Sequence, residues 1–200
     1  MVQRVYTIGH STHDPGAFVG LLQDHEISAI ADVRSAPYSR RAPQFSKADL
    51  KAWLRDAGVA YVFLGRELGG RSDDDRCMVG NRVDFDRLSE TPAFQEGLGR
   101  LQKGAEQHRI ALLCAEGEPL QCHRAVLVAR HLEALGLEVA HIHGDSRLEA
   151  HAGLEGRMLE QCRLGEGSLF EPHAQRLARA YEAWGERIAW RRPVEGDASA

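Results

Sequence analysis

The sequence predicts an α/β protein: a doubly wound, mainly parallel five-stranded sheet with helices on both faces. Three observations predict it. Short apolar runs alternate with amphipathic segments along the chain, the pattern of parallel strands returning through helical crossovers. Helix-start signals recur between those runs. The 200 residues, 43% hydrophobic and 27% charged, have an ordinary soluble composition and suffice for one sizeable core.

The first strand is "RVYTIG" at 4–9. Asp14 and Pro15 then read as N-cap and first residue of a helix carrying Phe18, Leu21 and Leu22. The second strand, "SAIADV" at 28–33, leads through a long loop to Ser46, which with Asp49 resembles a capping box before Leu50, Trp53 and Leu54. Gly58 stops that helix ahead of the third strand, "AYVFL" at 60–64. Thr91 and Pro92 repeat the cap-and-proline signal before Phe94, Leu98 and Leu101, and "RIALLC" at 109–114 is the fourth strand. A helix starting near Cys122 or His123 places Ala125, Val128, Leu132 and Leu135 on one face and stops at Gly136. The fifth strand is "EVAHIH" at 138–143. Residues 1–145 read as the core and 146–200 as a helical extension packed on it. In that extension "LEGRMLEQCRL" and "EPHAQRLARAYEAWGERIAW" are the helices and "VEGDASA" a frayed tail.

Right-handed crossovers with helices on both faces favour a doubly wound sheet, and the order considered for it is 3-2-1-4-5, with the first strand central. The switch point then lies between strands one and four, where "GHST" and "CAEGEPLQCHR" meet beyond the carboxyl ends. The fourth loop carries two thiols, a carboxylate, an imidazole and a guanidinium, none of which a connection needs. The 65–83 stretch is long enough to be a lid, with Gly69 and Gly70 as its hinge.

Composition excludes some classes. No leader pattern opens the chain and no run is long and apolar enough for a membrane span, so a cytoplasmic protein without membrane contact is expected. The four cysteines follow no disulfide-framework spacing and are expected as thiols. A net charge of −4 argues against coating nucleic acid, although residues 34–55 hold a local excess of five positive charges. CxxxxxR, GxGxxG, GxxxxGK[ST] and HExxH are all absent, which removes the support for a cysteine phosphatase, a dinucleotide enzyme, a nucleotide-binding P-loop and a zincin.

Each candidate has a plain structural alternative. Cys122 at a helix start beside Arg124 is placed to be a thiolate nucleophile; a small buried hydrophobe is the alternative. Cys114 ends a buried strand and fits a core role. Glu116, next to His123 in the loop, fits either an acid/base role or a solvated surface. His10 and Ser11 precede a helix N-terminus that could hold an anion, unless Ser11 or Thr12 only caps it. Asp32 and Arg34 point to one face, where they bridge each other, orient a substrate, or both.

Taken together, "YTIGHS", "DVRSAPYSR" with Phe45, "LGRELGG" and "LLCAEGEPLQCHR" resemble the domain of unknown function 488 family, mostly bacterial and archaeal proteins, over about residues 4 to 145. The resemblance implies a Rossmann-like fold and motif places at His10, Ser11, Asp32, Arg34, Pro37, Ser39, Arg40, Glu67, Gly69, Gly70, Cys114, Glu116, Cys122, His123 and Arg124. It implies no substrate and no reaction. The expected function is an enzyme, a hydrolase or transferase, acting on a small anionic, phosphate-bearing or nucleotide-like ligand at the switch point. Arg34, Arg40 and Arg124 would hold the anion, with Ser11, Asp32, Ser39 and Cys114 beside it. Glu116 with His10 or His123 would move a proton, and Cys122 would be nucleophile or redox thiol. No cofactor is named and no metal is expected, although His10, Cys114, Glu116 and His123 could converge on one. The alternatives are a nucleic-acid-binding module using 34–55 with Tyr38 and Phe45 as stacking partners, and a thiol or metal sensor in which Cys114 and Cys122 pair on oxidation.

Overall fold

The computed structural model describes residues 3–165 and 171–193. The chain runs through β1 (Arg4–Gly9), α1 (Pro15–Asp24), β2 (Ala29–Asp32), α2 (Lys47–Asp56) and β3 (Ala60–Phe63). A hairpin of β4 (Met78–Val79) and β5 (Arg82–Val83) precedes α3 (Phe85–Ser89), α4 (Pro92–Ala105) and β6 (Ile110–Cys114). A π-helical stretch, Arg124–Ala129, continues into α5 (Arg130–Ala134), followed by β7 (Glu138–Ile142), β8 (Leu148–Ala150), α6 (His151–Gln161) and α7 (His173–Ile188).

The class is the predicted one, with two corrections. The main sheet has six strands because β8 adds antiparallel to β7. Its order is β3-β2-β6-β1-β7-β8, so the fourth predicted strand sits between the second and the first. Right-handedness alone allows both arrangements. Here α1 and α2 cover the face bearing Tyr6, Ile8, Ile30 and Leu113, while α4, α5 and the π-helical stretch cover the face bearing Val5, Ala31 and Leu112. Consequently α2 leaves β2 on one face toward β3, and the helix after β6 leaves on the other face toward β7. The crevice of the sheet opens between β2 and β6.

Local signals are partly realised. The Asp14 side chain accepts from the Ala17 amide at 2.9 Å, and Thr91 Oγ1 from Phe94 at 3.3 Å. Ser46 makes no side-chain cap, and its buried hydroxyl finds no partner among the described residues. The π-helical stretch is buried throughout because it is sandwiched: Leu127 and Val128 face the sheet, Ala125 and Val126 face α6 and α7. Its wide turn, closed by Arg130 N–H to the Ala125 carbonyl, shifts the helical phase, and Leu135 emerges 46% exposed instead of buried. The 65–83 segment is no free lid. Val83 N–H donates to Trp190 O at 3.0 Å and Arg192 N–H to Asn81 O at 2.7 Å, tying it to the chain after α7. Two of its three consecutive aspartates, Asp73 to Asp75, are paired: Asp74 with Arg76, and Asp75 with Arg192. The segment "VEGDASA" lies outside the described residues.

A buried chain of hydrogen bonds ties α6 and α7 to the sheet. Tyr181 donates to Glu155 Oε1 at 2.7 Å, so its oxygen accepts from His151 Nε2 at 2.8 Å. His151 Nδ1 then accepts from His141 Nε2 at 3.0 Å, and His141 Nδ1 from the Thr7 hydroxyl at 2.8 Å. Arg124 Nε–H donates into Thr7 Oγ1 at 3.3 Å. A cation at one end and a carboxylate at the other polarise every bond in one direction. Both imidazoles must be neutral: burial pushes His151 down to about 4 and His141 well below its ordinary value. The unfolded chain therefore binds protons that the folded one refuses. Stability is present in full above about pH 6.5 and is lost as pH falls toward 4. His151 alone is expected to remove about 2 kcal/mol between pH 7 and pH 5. Urea midpoints at the two pH values check this, and a His151→Gln variant should flatten the slope. Equal slopes in both proteins would refute it.

Candidate active site

The loop after β6 is folded around one side chain. Arg124 is wholly buried; its Nη1–H donates to the Glu116 carbonyl at 2.6 Å and its Nη2–H to the Gly117 carbonyl at 3.0 Å. This draws the loop against β1, where Gly9 lies so close that a Cβ there would fall on the Glu116 carbonyl. A turn, Pro119–Gln121, capped by the Glu118 side chain on the Leu120 amide at 3.1 Å, then returns the chain to Cys122.

Four functional groups meet at this point. His123 Nε2–H donates to the Val33 carbonyl at 3.0 Å, which fixes the tautomer and leaves the Nδ1 lone pair facing inward. Nδ1 lies 3.8 Å from the sulfurs of both Cys114 and Cys122. The Cys114 thiol reaches Glu116 Oε2 at 3.1 Å, and the Arg124 amide donates to Cys122 Sγ at 3.4 Å. The two thiols are pushed in opposite directions. Burial pushes Cys122 up, but the Cys114 thiol, Arg124 and His123 outweigh it and hold Cys122 well below the usual thiol range. Its thiolate, with burial, pushes Cys114 well above that range. Burial opposes charge on His123, yet the Cys122 thiolate and the Glu116 carboxylate raise it. Cys114, Cys122 and His123 place their donor atoms within 4.8 Å of one another, close enough to hold one metal ion.

This cluster floors a cavity of about 220 Å³ in the crevice between β2 and β6. One rim is Arg34 to Ala36 after β2; Arg71 forms another, and Phe85, Ile188 and Trp190 form an apolar wall. Arg71 is exposed, its guanidinium 5.9 Å from the Trp190 ring centre, while its amide donates to Ser35 Oγ at 3.1 Å. Gly69 and Gly70, expected as a hinge, are closely packed in this rim, where a Cβ on Gly69 would fall 2.3 Å from the Gly65 carbonyl oxygen. A Cβ on Gly70 would stand 2.8 Å from His123 Cγ, so Gly70→Ala is expected to displace the imidazole. The displacement should disturb the cluster more than the fold, with a destabilisation of about 1–2 kcal/mol. Two-dimensional NMR of the His123 ring would register it, and an unmoved ring signal would refute it.

Of the predicted site residues, the structure brings together Arg34, Cys114, Glu116, Cys122 and His123 around the cavity. It places the others elsewhere. His10 and Ser11 follow β1, which is separated from β2 by β6, and His10 stacks on Phe45 at 4.5 Å. Its Nδ1 bonds the Ser11 carbonyl at 2.9 Å, its Nε2 is buried without a partner among the described residues, and burial pushes its pKa down to about 4. Asp32 holds Arg34 through paired contacts of 2.9 and 2.7 Å, with Tyr61 donating to it at 2.8 Å. Ser39 Oγ caps the Ala42 amide at 3.0 Å, and Arg40 is exposed away from the cavity. Arg124 is occupied with the loop carbonyls. Arg71, Phe85, Ile188 and Trp190 were not legible as site residues. Only Arg71, directly after the paired glycines, carried any signal.

The family model described as domain of unknown function DUF488 matches residues 14–131. The chain belongs to this family. The DUF488 match contains the β2 loop, the paired glycines and the whole Cys114-to-Arg124 loop, and so every polar group of the cavity. Ile188 and Trp190 of the apolar wall lie beyond it, as do His10 and Ser11. No curated protein and no solved structure matches the chain. No described helix is long and apolar enough to cross a membrane.

Proposed function

We propose that this protein is an enzyme acting on a small anionic molecule held in the β2–β6 crevice. The observation that carries this reading is the polarity of one cavity. Its floor gathers two sulfurs and an imidazole, a carboxylate stands at its mouth, and its rim carries the Arg71 guanidinium, which has no side-chain hydrogen bond among the described residues. Such groups are more than the fold requires, and a cavity of this size takes a small ligand. Arg71 attracts the anion, and Trp190 with Ile188 covers its apolar part. Glu116, exposed at the mouth, moves the proton, and the reaction is a hydrolysis or group transfer.

The test is a thermal-shift series with sugar phosphates, nucleotides and simple carboxylates, on wild type and on Arg71→Ala and Glu116→Ala. A ligand at 100 times its Kd should stabilise by about 2.7 kcal/mol, about 5–10 °C for a chain this long. Arg71→Ala is expected to lose that shift, and Glu116→Ala to keep most of it while losing turnover. A second reading has its own observation: Tyr38 is 68% exposed beside the exposed Arg40 and Arg41, a stacking and charge pattern suited to single-stranded nucleic acid. Binding of an oligonucleotide that collapses with salt and survives Arg71→Ala would favour it over the enzyme.

A further inference from the structure

We infer that Cys114 Sγ, Cys122 Sγ and His123 Nδ1 form a three-donor site for a zinc-class divalent cation whose fourth coordination position opens into the cavity. This rests on the reading of the cavity as a reaction site, and it decides what the nucleophile is.

The spacing is the first argument. Zinc binds sulfur at about 2.3 Å and imidazole nitrogen at about 2.0–2.1 Å in a tetrahedron, which sets the donors about 3.5–3.8 Å apart. Both sulfur-to-nitrogen distances here are 3.8 Å, and all three donors lie within 4.8 Å of one another. The donor set is the second. Two thiols and an imidazole suit zinc and its soft neighbours, not magnesium or calcium.

The outer partners are the third. A metal-ligating histidine commonly donates its remote N–H to a carbonyl or carboxylate. His123 does so to the Val33 carbonyl, and the Arg124 amide donates to Cys122 Sγ. The donors also sit on rigid elements: Cys114 on an interior strand, Cys122 and His123 at the start of the buried helix, with Gly70 packed on the imidazole.

Three protein ligands leave a position for water, the arrangement of a catalytic site; a structural one is closed by a fourth. All three donors line the cavity. Glu116 stands outside the donor set, but its Oε2 is 3.1 Å from Cys114 Sγ, beside that position. Its carboxylate takes one proton from the coordinated water, leaving hydroxide on the metal and a neutral carboxylic acid. The hydroxide oxygen bonds to the electrophilic centre of the substrate as the bond to the leaving group breaks, and the Glu116 carboxylic acid returns its proton to the departing atom; the reaction is hydrolysis, and Cys122 is a ligand in it, not the nucleophile.

Cobalt(II) is the probe. Freshly reduced, chelator-treated full-length protein is titrated with it and followed by absorbance. The expected result is a thiolate-to-cobalt charge-transfer band with tetrahedral visible bands, saturating at one cobalt per chain and displaced by zinc. Cys114→Ser, Cys122→Ser and His123→Ala should lose or strongly weaken the bands, while Cys162→Ser and Glu116→Gln keep them. Circular dichroism without metal shows whether each variant is folded. Wild-type protein that gives no charge-transfer band in excess cobalt overturns the proposal without recourse to any variant. So does a band that persists in the folded Cys114→Ser and Cys122→Ser proteins. The two readings fail separately. A small anion that still stabilises wild-type protein lacking any cobalt band sustains the cavity reading and removes the metal. A cobalt band in protein that no anion stabilises sustains the metal and removes the anion.

Discussion

Replacing Asp32 by alanine is expected to destabilise the protein by about 3–5 kcal/mol, because it leaves a buried cation without its counter-charge. Asp32 is completely buried and Arg34 is 4% exposed. The carboxylate accepts from the Arg34 Nε, Nη2 and backbone amide and from the Tyr61 hydroxyl. After the substitution the guanidinium keeps only the Phe45 carbonyl, at 2.9 Å. It has two escapes, both costly: to remain desolvated, or to swing out and open the crevice rim. Urea denaturation gives the size of the loss. A double variant, Asp32→Ala with Arg34→Met, should recover part of it, since a methionine is easier to bury than a lone guanidinium. A single variant within 1 kcal/mol of wild type would refute this account. Ligand binding should weaken even where the variant stays folded, because the 34–36 rim lines the cavity.

Arg124→Leu is expected to cost about 3 kcal/mol and to release the site loop. Three hydrogen bonds from the guanidinium are lost, to the carbonyls of Glu116 and Gly117 and to Thr7. Leucine fills part of the space but satisfies none of these groups. Arg124→Lys should recover less than half, since an ammonium cannot reproduce the fork that spans two consecutive carbonyls. The loop carries Glu116, and its return leads into Cys122, so alkylation of Cys114 and Cys122 should accelerate in both variants. A leucine variant within 0.5 kcal/mol of wild type, with alkylation unchanged, would show that Arg124 does not organise the loop.

The legible part of this protein was what neighbouring residues decide. The five apolar runs became strands within a residue or two of the expected bounds. Asp14 with Pro15 and Thr91 with Pro92 mark helix starts whose caps form as drawn. Ser46 carried the same kind of signal and makes no cap bond, because a capping residue shows only that its side chain can reach an amide. Leu135 was misplaced because a 3.6-residue period does not describe a helix that opens with a π-helical turn. The chemistry of the 114–124 loop stood out because a strand-to-helix connection needs none of it. That Arg124 and Asp32 serve the scaffold, while Glu116 and His123 face a cavity, was not legible there. Residue type is the same in both roles, and only partners and burial separate them.

Sequence by itself determined the α/β class, the five parallel strands and the helices between them that carry clear start signals, and the concentration of reactive groups after the fourth apolar run; the 78–83 hairpin, α3 and β8 were not among them. The features it determined follow from periodicity and local hydrogen bonding, which act over a few residues. Tertiary structure alone decided that β6 lies between β2 and β1. That insertion moves the crevice away from His10 and sets the cysteine loop beside Arg34. Tertiary structure also brought Trp190 and Ile188 over the cavity from the far end of the chain, through main-chain bonds between the 81–83 segment and residues 190–192. The physical reason is that strand order and long-range closure depend on which apolar faces bury each other best. That free energy belongs to the assembled core, and no short stretch of residues encodes it.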